Sequence, residues 1–496
     1  MSELRTIWVL GDQLNRRIGA LEQADPKNDR ILMVESQSMF EGRAFHRQRI
    51  HLVKTAMRRF ADDLSGAGFR VDYQRARSLS EGLGRHRSRF EPDTVVATRP
   101  NSRPVRDLLL SLDVDLKSSN QFLCGPEDFA DWANGRESLR LEDFYRWQRR
   151  RLGYLMDGDR PAGGRWNFDH DNREPPPEEP PWPRPPRSRL DHVDQEVMVG
   201  IPGDNPGSEP VGWWATTRRA ALARLNHFIE HALPHFGTYE DAMLSTDWHM
   251  AHSLLSPYLN LGLLLPDEVC DRVEEAYQSG DIPINSAEGL IRQIIGWREF
   301  VWGIYWLWPD QIQENILGHF RDIPPSWTGE AGTEMNCMSV TLDGLDKRGW
   351  IHHIQRLMVL SNFANLYGIQ PDKVRDWMRE QYIDGADWVM GPNVMGMGLW
   401  ADGGRTSTKP YVSGGAYMNR MSDYCRDCRF DPRKRTGDDA CPFTTLYWDF
   451  LERHRDLLKS NARMVRQYAN LDRLSDLDDV RERAREVIDA IAAGEI

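Results

Sequence analysis

The sequence predicts two structural classes in one chain: an N-terminal α/β domain built on a parallel sheet, then a larger all-α domain. Three observations carry this prediction. Short apolar runs alternate with amphipathic segments through 1–135, a proline-dense stretch interrupts 136–212, and apolar residues recur at three- and four-residue spacing across 213–496. At 496 residues the chain is too long for one small core.

The elements follow in order. TIWVLGDQL begins with an apolar strand that runs into a Gly-Asp turn, RILMVES is a second strand, and FHRQRIHLVKTAMRRFADDLSGAG is an amphipathic helix closed by Gly. FRVDYQRA and TVVATRP are further strands, and SRPVRDLLLSL is a helix. Parallel sheets bind ligands at the carboxyl ends of their strands, where Asp12, Gln13 and Glu35 fall. The segment EPPPEEPPWPRPPRSR can be neither helix interior nor central strand, because proline lacks the backbone donor, so it reads as an extended connector. Beyond it, TTRRAALARLNHFIEHALPHF, INSAEGLIRQIIGWREFVWGIYWLW, HHIQRLMVLSNFANLYG and PDKVRDWMREQYI are helical, followed by a charged helical tail.

Hydrophobic residues at 40% and charged residues at 28% describe an ordinary globular chain. No run approaches the roughly 20 apolar residues of a membrane span, and the first residues lack the apolar core of a signal peptide, so a cytoplasmic location is expected. The net charge of −12 argues against a nucleic-acid partner. Arg149, Arg150 and Arg151, with Arg160 and Arg165, form a local basic region that opposes it. The 18 Trp residues suit a large aromatic core, stacking on a planar cofactor, or electron relay.

Of six cysteines, Cys425, Cys428 and Cys441 form C-x2-C-x12-C-P, and Cys337 is available as a fourth ligand. A disulfide framework does not suit so large and cysteine-poor a chain. The spacing fits a metal centre and leaves zinc and a [4Fe–4S] cluster level. Cys124 and Cys270 sit in apolar or ordinary helical contexts and read as buried thiols.

LLSPYLNLG (254–262), GWREF (296–300), GWIHHIQRLM (349–358) and the run 383–417 occur in the order found in photolyases and cryptochromes. With GDQL, WNFDHDNR, the paired histidines and the four cysteines, the chain resembles the bacterial iron–sulfur branch of that family, which includes prokaryotic (6-4) photolyases. The resemblance implies a Rossmann-like antenna domain and a helical FAD-binding domain, with a [4Fe–4S] cluster on Cys337, Cys425, Cys428 and Cys441. It also implies light-driven repair of (6-4) lesions in UV-damaged DNA by a monomer with no membrane partner. A cryptochrome-type blue-light receptor is the alternative, and a flavin–iron–sulfur electron carrier a distant third.

The resemblance carries roles to individual residues. His252, Ser253, Leu255 and Ser256 would wrap the FAD, Trp297, Arg298 and Glu299 would flank it, and Asp384 and Gly385 would approach its rings. His353, with His352 before it, is expected at the lesion, since imidazole titrates near neutrality. Animal-type relatives carry a further His where this chain has Leu357. Met390 takes the place of a polar residue facing flavin N5, unless Asn393 fills it; a thioether donates no hydrogen bond. Trp377 is the leading electron-relay residue, with Trp350, Tyr411 and Tyr417 behind it. Asp12, Gln13, Glu35 and Phe40 resemble the site of a lumazine antenna (6,7-dimethyl-8-ribityllumazine), and Asp169 is a candidate Mg2+ ligand near DNA phosphates.

Overall fold

The computed structural model describes residues 4–496. Five parallel strands, β1 (Arg5–Val9), β2 (Asp29–Ser36), β3 (Arg70–Ala76), β4 (Thr94–Thr98) and β5 (Asp115–Lys117), form a sheet in the order β3-β2-β1-β4-β5. β2 is buried along nearly its whole length, as a central parallel strand covered on both faces must be. β5 has no counterpart in the sequence reading. Its three residues, DLK, form a half-exposed edge with no apolar run to mark it. Strand order reverses between β1 and β4, and the crevice beyond their carboxyl ends is where such sheets take ligands.

The rest of the chain is mostly helical, and it shares its core with the sheet. One apolar cluster joins Ile7 and Ile31 of the sheet, Leu52 and Leu64 of the helix Arg47–Gly66, and Leu225, Leu263 and Ile295 of the helical part. Specific contacts fix this junction. His46 caps the helix Arg47–Gly66, its Nδ1 accepting from the Gln48 amide at 3.2 Å while Nε2 donates to the Asp346 carbonyl at 2.9 Å. Burial holds that imidazole neutral, pushing it down to about 4. At Gly262, where LLSPYLNLG meets the loop after β1, φ is +74° and an added Cβ would lie 2.5 Å from Ile18. Only glycine fits there.

The proline-rich stretch has no regular structure between 172 and 191 and ends in the helix His192–Val199. It acts as a strap. Asp194 binds His51 and Arg59 of the α/β part, while the Trp182 indole donates to Asp247 of the helical part at 2.8 Å. Of the basic region, Arg150, Arg151, Arg160 and Arg165 are exposed, but Arg149 is not. Arg149 is fully buried and donates to the carbonyls of Tyr154, Leu155 and Trp166, so it tethers backbone instead of phosphate. No helix among the described residues is long and apolar enough to cross a membrane.

Candidate active site

Three stretches of helix in the second half widen to π geometry: Arg292–Arg298, Gln355–Ser361 and Gly391–Gly398. A π-turn inserts one residue into an α-helix and is found mainly where function needs a displaced side chain. All three border one cavity of about 270 Å³. Gln293, Trp297 and Arg298 come from the first, Arg356 from the second and Asn393 and Met397 from the third. His252, Ser253, Leu255 and Ser256 close another side.

The cavity wall is polar and only partly satisfied. Asp384 is held by Arg356 in a two-point pair at 2.9 and 3.1 Å and accepts the Ser256 hydroxyl at 2.6 Å. His252 stacks on His352, ring centroids 4.7 Å apart. Buried His252 Nε2 and Arg298 Nε on this wall have no hydrogen-bond partner within the protein and are available to a ligand. His353 lines the cavity and remains exposed to solvent. The protein atoms crowded around its ring, then the charge of Arg356, push it down to about 4, and burial takes His252 down to about 3. The ring at the site is therefore neutral imidazole, one nitrogen a donor and the other an acceptor.

Several expected residues stand elsewhere. His352 packs behind His252 and does not reach the cavity. Glu299 points toward the α/β part, where it accepts the Cys124 amide at 2.8 Å, and burial pushes it up to about 7. Gly385 is outside the wall, receiving Arg49 on its carbonyl at 3.0 Å. Met390 is buried in the neighbouring apolar core, and Asn393 stands on the wall in its place. Glu240, Gln293, Arg356 and Trp388 went unassigned in the sequence. The spacing of Gln293 to Trp297 and of His353 to Arg356 was the signal for two of them, since residues three or four apart share a helix face.

A second cavity of about 320 Å³ lies at the strand-order reversal, between the sheet and the helical part. Asp12 and Phe40 line it. Gln13 does not; its amide donates to the carbonyls of Thr98 and Arg99, bracing the loop after β4. Glu35 does not either, because it is taken by Arg58 and Tyr73. Arg43, Arg49 and Arg379 bring cations to this cavity that no sequence motif flagged. Asn260, Asp384 and Trp388 line both cavities.

Cys337, Cys425, Cys428 and Cys441 converge on a separate enclosure walled by Met335, Tyr424, Phe430 and Phe443. Burial pushes the Cys425 thiol up to about 12 and Cys441 to about 11, and the neighbouring sulfurs add to the burial of Cys337. Among the described residues, no group of three or more His, Cys, Asp or Glu is arranged to hold a single metal ion. Cys124 and Cys270 are buried away from this enclosure. Asp169 is not free for a cation, because Arg292 and Arg173 (3.8 Å) occupy its carboxylate.

Two of the aromatic strings contain expected relay residues. Trp377 lies 4.6 Å from Trp327 and 6.4 Å from Tyr382, which sits beneath Arg356. Trp350, on the cavity wall, lies 5.6 Å from Trp248, itself 5.4 Å from the half-buried Trp213. Tyr411 and Tyr417 belong to neither string.

Residues 7–207 match the family model described as deoxyribodipyrimidine photo-lyase-related protein. The chain is 43% identical over 502 residues to the (6-4) photolyase of Agrobacterium fabrum, covering 98% of each. Its fold is similar to that of a bacterial class III photolyase from Agrobacterium tumefaciens, with a TM-score of 0.62 at 17% identity over 99% of this chain and 98% of the other. It is also similar to a Synechocystis cryptochrome, with a TM-score of 0.56 at 16% identity over 98% and 100%.

Proposed function

The chain belongs to the photolyase/cryptochrome family, and from that premise we propose that it is a light-driven DNA photolyase acting on (6-4) pyrimidine–pyrimidone lesions. The observation that carries this reading is the end-to-end similarity to a (6-4) photolyase. The cavity supports it, with neutral His353 facing the space where a substrate base would sit.

FAD fits the helical cavity. Unpartnered buried donors and acceptors border it, and Ser253, Ser256, Arg356, Asp384 and Asn393 supply further polar groups. Bound and reduced, FAD supplies the electron for repair on absorbing light. The protein's own part is to receive the flipped-out lesion, exclude water and move a proton. His353 is suited to the last task, because a neutral imidazole passes a proton in at one nitrogen and out at the other. Arg356 is locked onto Asp384 and holds a fixed positive charge beside it.

A [4Fe–4S] cluster on Cys337, Cys425, Cys428 and Cys441 is part of the reading. Four cysteine sulfurs line one enclosure, and a four-thiolate set with Pro442 directly after Cys441 suits such a cluster. The second cavity is assigned to a lumazine antenna beside Asp12 and Phe40. Mg2+ at Asp169 is set aside, since two arginines hold that carboxylate. The receptor alternative drew on Met390 and on the net charge of −12, and Met390 lies off the cavity wall. Illuminating the reduced holoprotein with duplex carrying a (6-4) lesion should restore normal pyrimidines and should accompany stoichiometric iron and labile sulfide. Flavin photoreduction with the lesion unchanged would overturn the proposal.

A further inference from the structure

Residues 121–124 run between the two cavities and line neither. The helical part clamps this short loop. Arg298 Nη1 donates to the Gln121 carbonyl at 2.9 Å, the same guanidinium covers the Phe122 ring at 3.9 Å, and Glu299 accepts the Cys124 amide at 2.8 Å. The Gln121 side chain reaches the other way. Its Nε2 donates to the Asp12 carbonyl, and its Oε1 accepts from Asn101 Nδ2 at 3.2 Å. Asn101 Nδ2 also donates to the Asp12 carboxylate at 3.0 Å. A continuous chain of hydrogen bonds thus joins Arg298, on the helical cavity's wall, to Asn101 and Asp12 on the sheet-side wall.

Both ends of this chain stop at an unsatisfied atom. Arg298 Nε is a buried donor without a partner, and Asn101 Oδ1 is a buried acceptor without one. The Asn101 amide has little choice of orientation, because a carboxylate accepts hydrogen bonds and so draws the NH2 group, leaving the oxygen over. The complement of Arg298 Nε is an acceptor such as a carbonyl or phosphate oxygen. The complement of Asn101 Oδ1 is a donor, a hydroxyl or a ring N–H. A ligand bringing either group recovers the desolvation cost of the atom it meets.

We propose that Gln121 is a positioning residue that couples the two cavities, so that a donor-bearing occupant bonded to Asn101 tightens flavin binding beside Arg298, and flavin tightens that occupant in return. This inference rests on the flavin and antenna assignments above. An occupant that bonds Asn101 Oδ1 pins the amide, the amide holds the Gln121 side chain, and the Gln121 carbonyl holds the guanidinium. Ordering already imposed by the first ligand is not required again of the second, which gives positive coupling without a change of fold. The cavities also share Asn260, Asp384 and Trp388, so the routes must be separated. Gln121 separates them, because it lies on neither wall.

The test uses the FAD-loaded full-length chain in the dark, dialysed free of lumazine, with 6,7-dimethyl-8-ribityllumazine as the probe. The FAD dissociation constant is read from free flavin collected by filtration after dilution. Saturating lumazine should lower that constant about tenfold, and loading FAD should raise lumazine affinity by the same factor, since coupling between binding sites is reciprocal. In Gln121→Met most of this factor should vanish, whatever the variant's own affinity for FAD. Asn101→Ser cuts the chain at its other end and should do the same. A wild type whose FAD affinity ignores bound lumazine would overturn the proposal with no variant needed. Either variant keeping the full factor would overturn it too, by placing the coupling in the shared wall. Lumazine that fails to bind the wild type would overturn the antenna assignment, and this inference with it.

Discussion

The two cavities share a wall at Asn260, Asp384 and Trp388, yet the elements that build them differ in kind. The sheet-side cavity is made by the ends of regular strands, and its charges are largely answered within the protein. Asn101 donates to Asp12 at 3.0 Å, Arg379 pairs with Asp387, and Arg49 is held by backbone carbonyls. The helical cavity is bordered by three π stretches, and each cavity has buried polar atoms without partners, His252 Nε2 and Arg298 Nε on this wall and Asn101 Oδ1 on the other. A receptacle at a sheet edge comes with the fold, whereas a reactive pocket inside a helical bundle requires helices to leave their regular geometry. Unsatisfied buried groups are expensive, so they persist where a ligand completes them.

The shared wall is the place to break this comparison with the largest effect. Replacing Asp384 with Asn strips Arg356 of its partner, and orphaning one member of a buried pair costs about 3–5 kcal/mol. Thermal unfolding should shift down, and both chromophores should be lost from the purified protein. Retention of one chromophore would show that the cavities are held independently.

An effect confined to the helical cavity is expected of His353→Ala. Repair should fall about 10²- to 10⁴-fold, the range for losing a positioned proton-transfer group, with both chromophores retained. With His353 pushed down to about 4, wild-type repair should not decline through loss of neutral imidazole until the pH approaches that value. A single-turnover assay across pH checks both points.

The smallest effect belongs to Asp12. Burial raises it to about 6 from an ordinary 3.8, so folding is unpenalised below about 4, where both states are protonated. As pH rises from 4 to 6 the unfolded chain ionises first and stability falls, reaching a constant deficit above 6. Asp12→Asn removes this deficit and should gain on the order of 1 kcal/mol over wild type above pH 6, after allowing for water in the cavity. Thermal melts at pH 4 and pH 7 should show the gap only at the higher pH, and repair under direct flavin excitation should be unaltered.

Much of this architecture was legible because it rests on local pattern. Buried strands such as RILMVES are continuous apolar runs, and the long helices repeat apolar residues at helical spacing. β5 was not legible, since three half-exposed residues pair only because β4 is beside them. Site residues divide along the same line. His252, Ser253, Ser256, Trp297 and His353 lie within quoted motifs and reach the cavity. Glu299 and His352 lie in the same motifs but turn away, since Glu299 is two helical positions from Trp297 and His352 precedes its helix.

Sequence alone determined that the chain alternates strands and helices before a helical half, that its clustered cysteines suit one inorganic centre, and which family it resembles. Those features depend on short-range periodicity and spacing, which a linear string preserves. Only the tertiary structure decided that Asn393 and not Met390 faces the cavity, that Arg149 is a buried tether, that Asp169 is already neutralised, and that Gln121 links Arg298 to Asn101. Each of those facts depends on which side chain of a distant segment arrives opposite, and no local pattern encodes that meeting.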